Sequence, residues 1–331
     1  MNHFKNNTAE DRIDMIRATS QAMNLSEGIV EKDYWVCFVL DYLFSDSPWK
    51  SNLAFKGGTS LSKCYQIISR FSEDIDLVLD WRLLGYEPME PYQTQSRNQQ
   101  NIIKKEIVKK SNSFLANTIK PRLENDFSSL INEPFSFYLE NEDTLCFDYP
   151  KQFRDPALTE VVRLEISALA AWSPIETVNI QSYTASQFPV MFDKISFTVT
   201  TTQAKRSFWE KISILHKTSY RLHSNLPLRY ARHYYDVVMF YNSPFYLEAL
   251  KDSQLRISVI EFNVRFYPGN EFHFELAKPG SFNLMPIKTQ LTQLEQDYIA
   301  MQSMFFETSP PFTELLQILK SIEKEINEID D

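Results

Sequence analysis

Glycine is scarce in this sequence, with six residues in 331, and cysteine is scarcer still, with three. So little glycine excludes collagen-like, linker-like and low-complexity chains. Cys37, Cys64 and Cys146 are odd in number and widely separated. They form no CxxC pair and have no neighbouring His, so neither a disulfide framework nor a zinc site is expected, and a reducing compartment is. No apolar run approaches the roughly 18 residues of a membrane span. The start, "MNHFKNNTAEDRIDMIRATS", lacks the charged-then-apolar pattern of a secretory signal. The expectation is a cytoplasmic protein without a membrane segment. Excess basic charge is also missing. The formal net charge is -9, which argues against coating nucleic acid by bulk attraction.

What the chain does have is apolar and aromatic mass: 43% hydrophobic residues, 25 Phe and 16 Tyr. Single cores stop growing near about 250 to 300 residues, so two domains are expected. The boundary is placed near residue 203, dividing the chain into 1–202 and 203–331. Positive charge is concentrated in two places. Between Gln203 and Arg232 stand seven Lys or Arg (Lys205, Arg206, Lys211, Lys217, Arg221, Arg229, Arg232) against one acid, Glu210. A second cluster starts at "KKEIVKK" from Lys104 and continues to Lys120 and Arg122. For the second cluster a solvated helix face and a binding surface are both open.

Periodicity predicts helices over about 9–23 and 30–44, then a buried strand at "NLAF". "LSKCYQIISR" puts Leu61, Cys64, Tyr65 and Ile68 on one helical stripe. "DIDLVLD" alternates as a strand, setting Asp74 and Asp76 on one face and Ile75, Leu77 and Leu79 on the other. The order is strand, glycine turn, helix, strand. A Lys-rich helical stretch over 93–125 precedes strand candidates "FSFYLE", "VVRLEISAL" and "FDKISFTVTT". From 203 onward the pattern is helical, with a strand-like and turn-rich interlude between Leu255 and Pro286.

The chemistry sits in "LAFKGGTSLSKCYQIISRFSEDIDLVLD", from Leu53 to Asp80. Gly57 and Gly58 opening a helix would expose backbone N–H groups to an anion, with Thr59 and Ser60 adding hydroxyls. Asp74 and Asp76 would offer paired carboxylate oxygens to a divalent cation. A plain turn and a surface Asp pair are the ordinary explanations of each half taken alone. Together they fit a nucleoside triphosphate with Mg²⁺.

The string "FKGGTSLSKCYQIISRFSEDIDL" resembles the first motif of the AbiEii/AbiGii toxin family, within the DNA-polymerase-beta-like nucleotidyltransferases. "VEKDYWV" (Val30 to Val36) and "QDYIAMQSMFF" (Gln296 to Phe306) resemble the same family. The resemblance implies an α+β fold, a mixed sheet flanked by helices with a mainly helical C-terminal domain that completes the active site. It also implies a third carboxylate, for which "VVRLEISAL" offers Glu165, a Glu where many members have Asp. A pair with Arg163 is the alternative. It further implies a helical Lys and a later Asp, matched by Lys211 and Asp236, although His233 stands where an Asp is usual. A buried Lys211 to Asp236 ion pair is the structural alternative.

The resulting expectation is an enzyme that moves a nucleoside monophosphate from an NTP to an acceptor hydroxyl. Asp74, Asp76 and Glu165 would hold Mg²⁺ or Mn²⁺. Gly57, Gly58, Thr59, Ser60, Lys211 and Arg70 would hold the NTP phosphates, with Asp236 supporting Lys211. The resemblance implies the tRNA 3′ end as acceptor, with a protein hydroxyl also open, and a separately encoded antitoxin in a toxin–antitoxin or phage-defence setting. The basic run 205–232 is the surface expected to meet that RNA, since phosphate contacts supply most sequence-independent affinity. His216, His223 and His233 lack metal-ligand spacing and are expected at the surface or facing RNA. A phosphotransferase on the same fold and a non-catalytic nucleotide binder are the rival classes.

Overall fold

Each early helix opens on a residue suited to satisfy its free N–H groups. Thr8 and Asp11 form a reciprocal capping box at the start of α1 (Ala9–Met23), which ends at Asn24 in the left-handed region. Ser26 caps α2 (Glu27–Asp41), which runs on through a π-helical turn at Tyr42–Asp46. The structure, a computed structural model, describes residues 8–87, 90–93, 96–156, 158–221 and 226–329. They divide into two units. The first comprises the described residues up to Cys64 together with Phe71–Thr202, and the second comprises Tyr65–Arg70 together with the described residues from Gln203.

In the first unit β1 (Leu53–Lys56) leads into the short helix α3 (Gly57–Lys63), and β2 (Ile75–Leu79) follows. Next come α4 (Arg97–Phe114) and α5 (Lys120–Ser128), joined by a π-helical turn. The remaining elements are β3 (Ser136–Leu139), β4 (Thr144–Asp148), β5 (Val162–Ser167), β6 (Ile175–Ile180), α6 (Tyr183–Gln187) and β7 (Phe197–Thr202). The seven strands form one mixed sheet in the order β3-β4-β5-β2-β1-β7-β6. β1 runs antiparallel to β2, and β2 runs parallel to β5. The fold class is therefore α+β, as expected.

Alternation decides which side of this sheet meets the core. On β5, Val162, Leu164 and Ile166 are buried while Arg163, Glu165 and Ser167 are only partly covered. Aromatic side chains fill the core. Phe127 of α5 meets Phe38 of α2 edge-on, with ring centres 5.1 Å apart, and Phe137 stacks on Phe147 at 4.8 Å. Such pairs add to the burial of apolar area itself.

The second unit is helical: α7 (Ala204–Ser219), α8 (Arg232–Tyr241), α9 (Pro244–Lys251), α10 (Ser253–Phe266), α11 (Lys288–Ala300) and α12 (Phe312–Asn327). On α12, Leu315, Leu319, Ile322 and Ile326 recur at helical spacing and are fully buried. No helix among the described residues is long and apolar enough to cross a membrane.

Three expectations are corrected. The helix anticipated over 61–70 stops at Lys63, because Gln66 takes a left-handed φ of 52° and Tyr65–Arg70 joins the second unit. The stretch from Leu255 is helical to Phe266 and continues in 3-10 turns, with no strand among its described residues. Two strands were missed. β4 is too short and too evenly buried to alternate, and β6 is a polar edge strand.

Candidate active site

Lys56 at the end of β1 is the antiparallel partner of Asp76 on β2. The next residue, Gly57, has φ +79°, and a Cβ built there would collide with the Asp76 carboxylate. Glycine is therefore required on two counts: its backbone is left-handed, and the carboxylate occupies the space a side chain would take. This contact explains why a glycine turn precedes the Asp pair by one short helix.

Thr59 and Ser60 follow on α3, and their hydroxyls turn inward. Thr59 is 1% exposed; its Oγ1 donates to the Asp74 carbonyl at 2.5 Å and lies 3.0 Å from Ser72 Oγ. Ser60 is fully buried and donates to the Gly57 carbonyl at 3.0 Å. These are the hydroxyls expected at the NTP phosphates. Already engaged inside the fold, they brace the glycine turn and the entry to β2.

Glu165 lies in register with Asp76 on neighbouring parallel strands, so the two carboxylates stand on the same face of the sheet. No three His, Cys, Asp or Glu side chains among the described residues are grouped closely enough to hold a metal ion as they stand. Glu165 Oε1 instead lies 3.5 Å from Arg163 Nη2, the pairing that was the alternative reading for this residue. Mg²⁺ usually takes only one or two protein carboxylates beside waters and substrate phosphates. The hard oxygen donors of Asp74 and Asp76 fit that requirement.

The site also rests on residues to which the sequence reading gave no role. Three consecutive charged residues on α2, Glu31, Lys32 and Asp33, are at most 2% exposed. Glu31 accepts from the backbone N–H groups of Gln152 and Phe153 at 3.0 Å each. Lys32 Nζ lies 2.5 Å from Glu73 Oε2 and also donates to the Thr159 carbonyl (2.7 Å) and hydroxyl (2.6 Å). The Thr159 N–H donates to the same Glu73 oxygen at 3.1 Å. Asp33 pairs with Lys63 at the end of α3 and accepts from the Tyr183 N–H at 2.7 Å. The residue before Asp74 is thus fixed from one side by Lys32, while Thr59 fixes Asp74 from the other. The signal in the sequence was three adjacent charges in the middle of a largely apolar helix.

In the second unit, Arg70, Lys211 and Asp236 come together. Arg70 grips Asp236 with two hydrogen bonds of 2.8 Å, and Lys211 Nζ lies 2.7 Å from the same carboxylate. Asp236 is fully buried, and Arg70 is 3% exposed. Burial alone would raise the Asp236 carboxyl, yet Arg70 and Lys211 hold it well below the usual carboxylate range. Burial lowers the Lys211 ammonium against the pull of Asp236. Arg70, expected at phosphate, is a structural partner of Asp236 in this arrangement.

The family model described as "Nucleotidyl transferase AbiEii toxin, Type IV TA system" matches residues 39–318. The chain belongs to the AbiEii family of nucleotidyltransferase toxins. No curated protein matches it. Among solved structures it is similar to MenT4, a nucleotidyltransferase toxin from Mycobacterium tuberculosis H37Rv. The TM-score is 0.53 and the identity 15%, over 96% of this chain and 90% of that one. At that identity the likeness shows a shared fold. Membership makes this chain a nucleotidyltransferase toxin of a type IV toxin–antitoxin system, in a family that generally uses an NTP and a divalent metal.

Within this AbiEii chain, the basic run 205–232 is not a solvated face. Arg206 and Lys211 are buried and paired with Glu210 and Asp236, and Lys205 pairs with Asp252 at 2.7 Å. Lys217 and Arg221 lie over the ring of Phe272. The remaining two, Arg229 and Arg232, are half-buried. His216 is fully buried, with Nδ1 accepting from the Asn283 N–H and Nε2 against the His273 carbonyl, and burial lowers its pKa. His233 is half-buried, and burial together with Lys211 and Arg232 lowers it further. Neither is the surface histidine expected, and His223 lies outside the described residues.

Two substitutions follow from this geometry. Gly57→Ala should leave a folded protein, less stable by about 1 to 3 kcal/mol, with nucleotidyl transfer reduced at least roughly a hundredfold as Asp76 is displaced. Circular dichroism melts and initial rates measured on one preparation check this. Lys32→Met should cost about 3 to 5 kcal/mol, because it removes the cation that neutralises the buried Glu73 carboxylate, and Lys32→Met with Glu73→Met should recover most of that loss in urea denaturation.

Proposed function

We propose that this toxin transfers a nucleoside monophosphate from an NTP to a hydroxyl at the 3′ end of tRNA in the cytoplasm, releasing pyrophosphate. The observation that carries the reading is the Asp76 carboxylate packed against the left-handed Gly57, beside Asp74 and in register with Glu165. Asp74 and Asp76 would hold Mg²⁺ or Mn²⁺, with Glu165 as the third ligand. The metal, when bound, stabilises charge on the attacking and leaving oxygens of an in-line displacement. The backbone of the Gly57–Gly58 turn faces the terminal phosphates, and the internal bonds of Thr59 and Ser60 keep that turn rigid while the acceptor approaches. Lys211 is assigned to phosphate only on the family resemblance, with Asp236 fixing its ammonium.

For the RNA we assign a different basic surface from the one expected. Lys104, Lys105 and Lys109 of α4 line a cavity of about 490 Å³ together with Val108, Asn112, Ala116, Leu139 and one acid, Glu142. Lys105 and Lys109 are exposed, as phosphate contacts require. A separately encoded antitoxin completes the system, and defence against phage is the setting in which such a toxin would act.

The test is incubation with each α-³²P NTP, Mg²⁺ and total tRNA, beside a protein fraction and a γ-³²P ATP lane. One α-labelled NTP should label RNA, the γ lane should stay dark, and Asp74→Asn with Asp76→Asn should remove the label while the protein remains folded. Label from the γ position would make the enzyme a phosphotransferase, and label on protein alone would overturn the tRNA assignment. Lys105→Glu with Lys109→Glu should raise KM for RNA about tenfold or more and flatten its salt dependence, leaving KM for NTP unchanged.

A further inference from the structure

The carboxylate face holds cations that the proposed chemistry does not use: Lys56, opposite Asp76 on β1, and Arg163 on β5. Arg163 stands two residues before Glu165 on β5, so both side chains leave the same side of the sheet. The parallel register pairs Ile75 with Leu164 and Asp76 with Glu165; one step back, it sets Arg163 beside Asp74. The Arg163 Nη2 lies 2.8 Å from Glu140 Oε2 and 3.5 Å from Glu165 Oε1. Its Nε is buried and has no hydrogen-bond partner among the described residues.

Two facts follow from this placement. A guanidinium with carboxylates on several sides supplies the positive charge that such a face needs before any metal arrives. A buried donor without an acceptor also leaves this arrangement incompletely satisfied, so a side-chain position that gave Nε an acceptor would be favoured. Glu165 thus contacts Arg163 on its own strand, while its register partner Asp76 stands on β2.

We propose that Arg163 is a resident counter-cation of the carboxylate site, engaging Glu165 until a divalent cation takes its place. The inference rests on the assignment of Asp74, Asp76 and Glu165 as metal ligands. Arg163 is a positioning residue in this role. It competes with the metal for Glu165, so its removal strengthens metal binding, whereas a residue that merely supported the ligands would weaken binding when removed.

Mn²⁺ binding to the full chain without nucleotide, followed by electron paramagnetic resonance, reads this sign directly. Arg163→Gln should bind Mn²⁺ about tenfold more tightly than wild type, and Arg163→Lys, which keeps the charge, should stay close to wild type. Adding Glu165→Gln to Arg163→Gln should cancel the gain, because the competition passes through that carboxylate. Weaker or unchanged binding by a folded Arg163→Gln, verified by its thermal melt, overturns the proposal. An equal gain in the presence of Glu165→Gln also overturns it. Absence of Mn²⁺ binding by wild type, with or without NTP, removes the metal assignment itself and this proposal with it.

Discussion

The buried charges of α2 are the constraint on which the site depends. A helix in the interior of a mixed sheet protein would ordinarily carry apolar residues at every inward position, and an unpaired charge there would be prohibitive. Glu31, Lys32 and Asp33 are tolerated because each meets partners brought from distant parts of the first unit: the chain at 152–153, Glu73 with Thr159, and Lys63 with the entry to α6. Replacing such pairs by apolar residues is often neutral for stability. Their value here is geometric. They fix where the strand carrying Asp74 and Asp76 begins and where α3 ends.

From that anchor the active-site end of the sheet follows by short steps. Glu73 is held by Lys32, Asp74 is held through its carbonyl by Thr59, and Asp76 fills the space that Gly57 leaves open. Preorganisation of this kind matters for a phosphoryl-group reaction, where the protein contributes position and charge more than covalent chemistry. The second unit shows the same economy of buried charge. Asp236 sits between Arg70 and Lys211, one carboxylate oxygen shared by both cations, so the ammonium of Lys211 cannot wander.

The two basic clusters differ in burial. A count of Lys and Arg from 203 to 232 suggested a polyanion surface. Most of its described residues belong to α7, whose inward face also receives Arg206, Lys211 and His216. Charge counted along a chain does not report which side of a helix meets water. Of the α4 lysines, for which the two readings were evenly open, Lys105 and Lys109 stand in solvent, while Lys104 and Lys110 are half-buried.

The sequence by itself determined the order of strand, glycine turn, helix and strand, the shared face of Asp74 and Asp76, the inward alternation of Val162, Leu164 and Ile166, and the family. These are local properties, set by side-chain period, by backbone conformations only glycine takes freely, and by motifs contiguous in the chain. Tertiary structure alone decided that Tyr65–Arg70 leaves the first unit, that Thr59 and Ser60 face inward, that Lys32 reaches Glu73, and that Arg163 and Glu165 are neighbours of the Asp pair. Those facts depend on strand register and on burial between residues as far apart as Lys32 and Thr159. A charged side chain shows its role only once its partner's position in space is fixed.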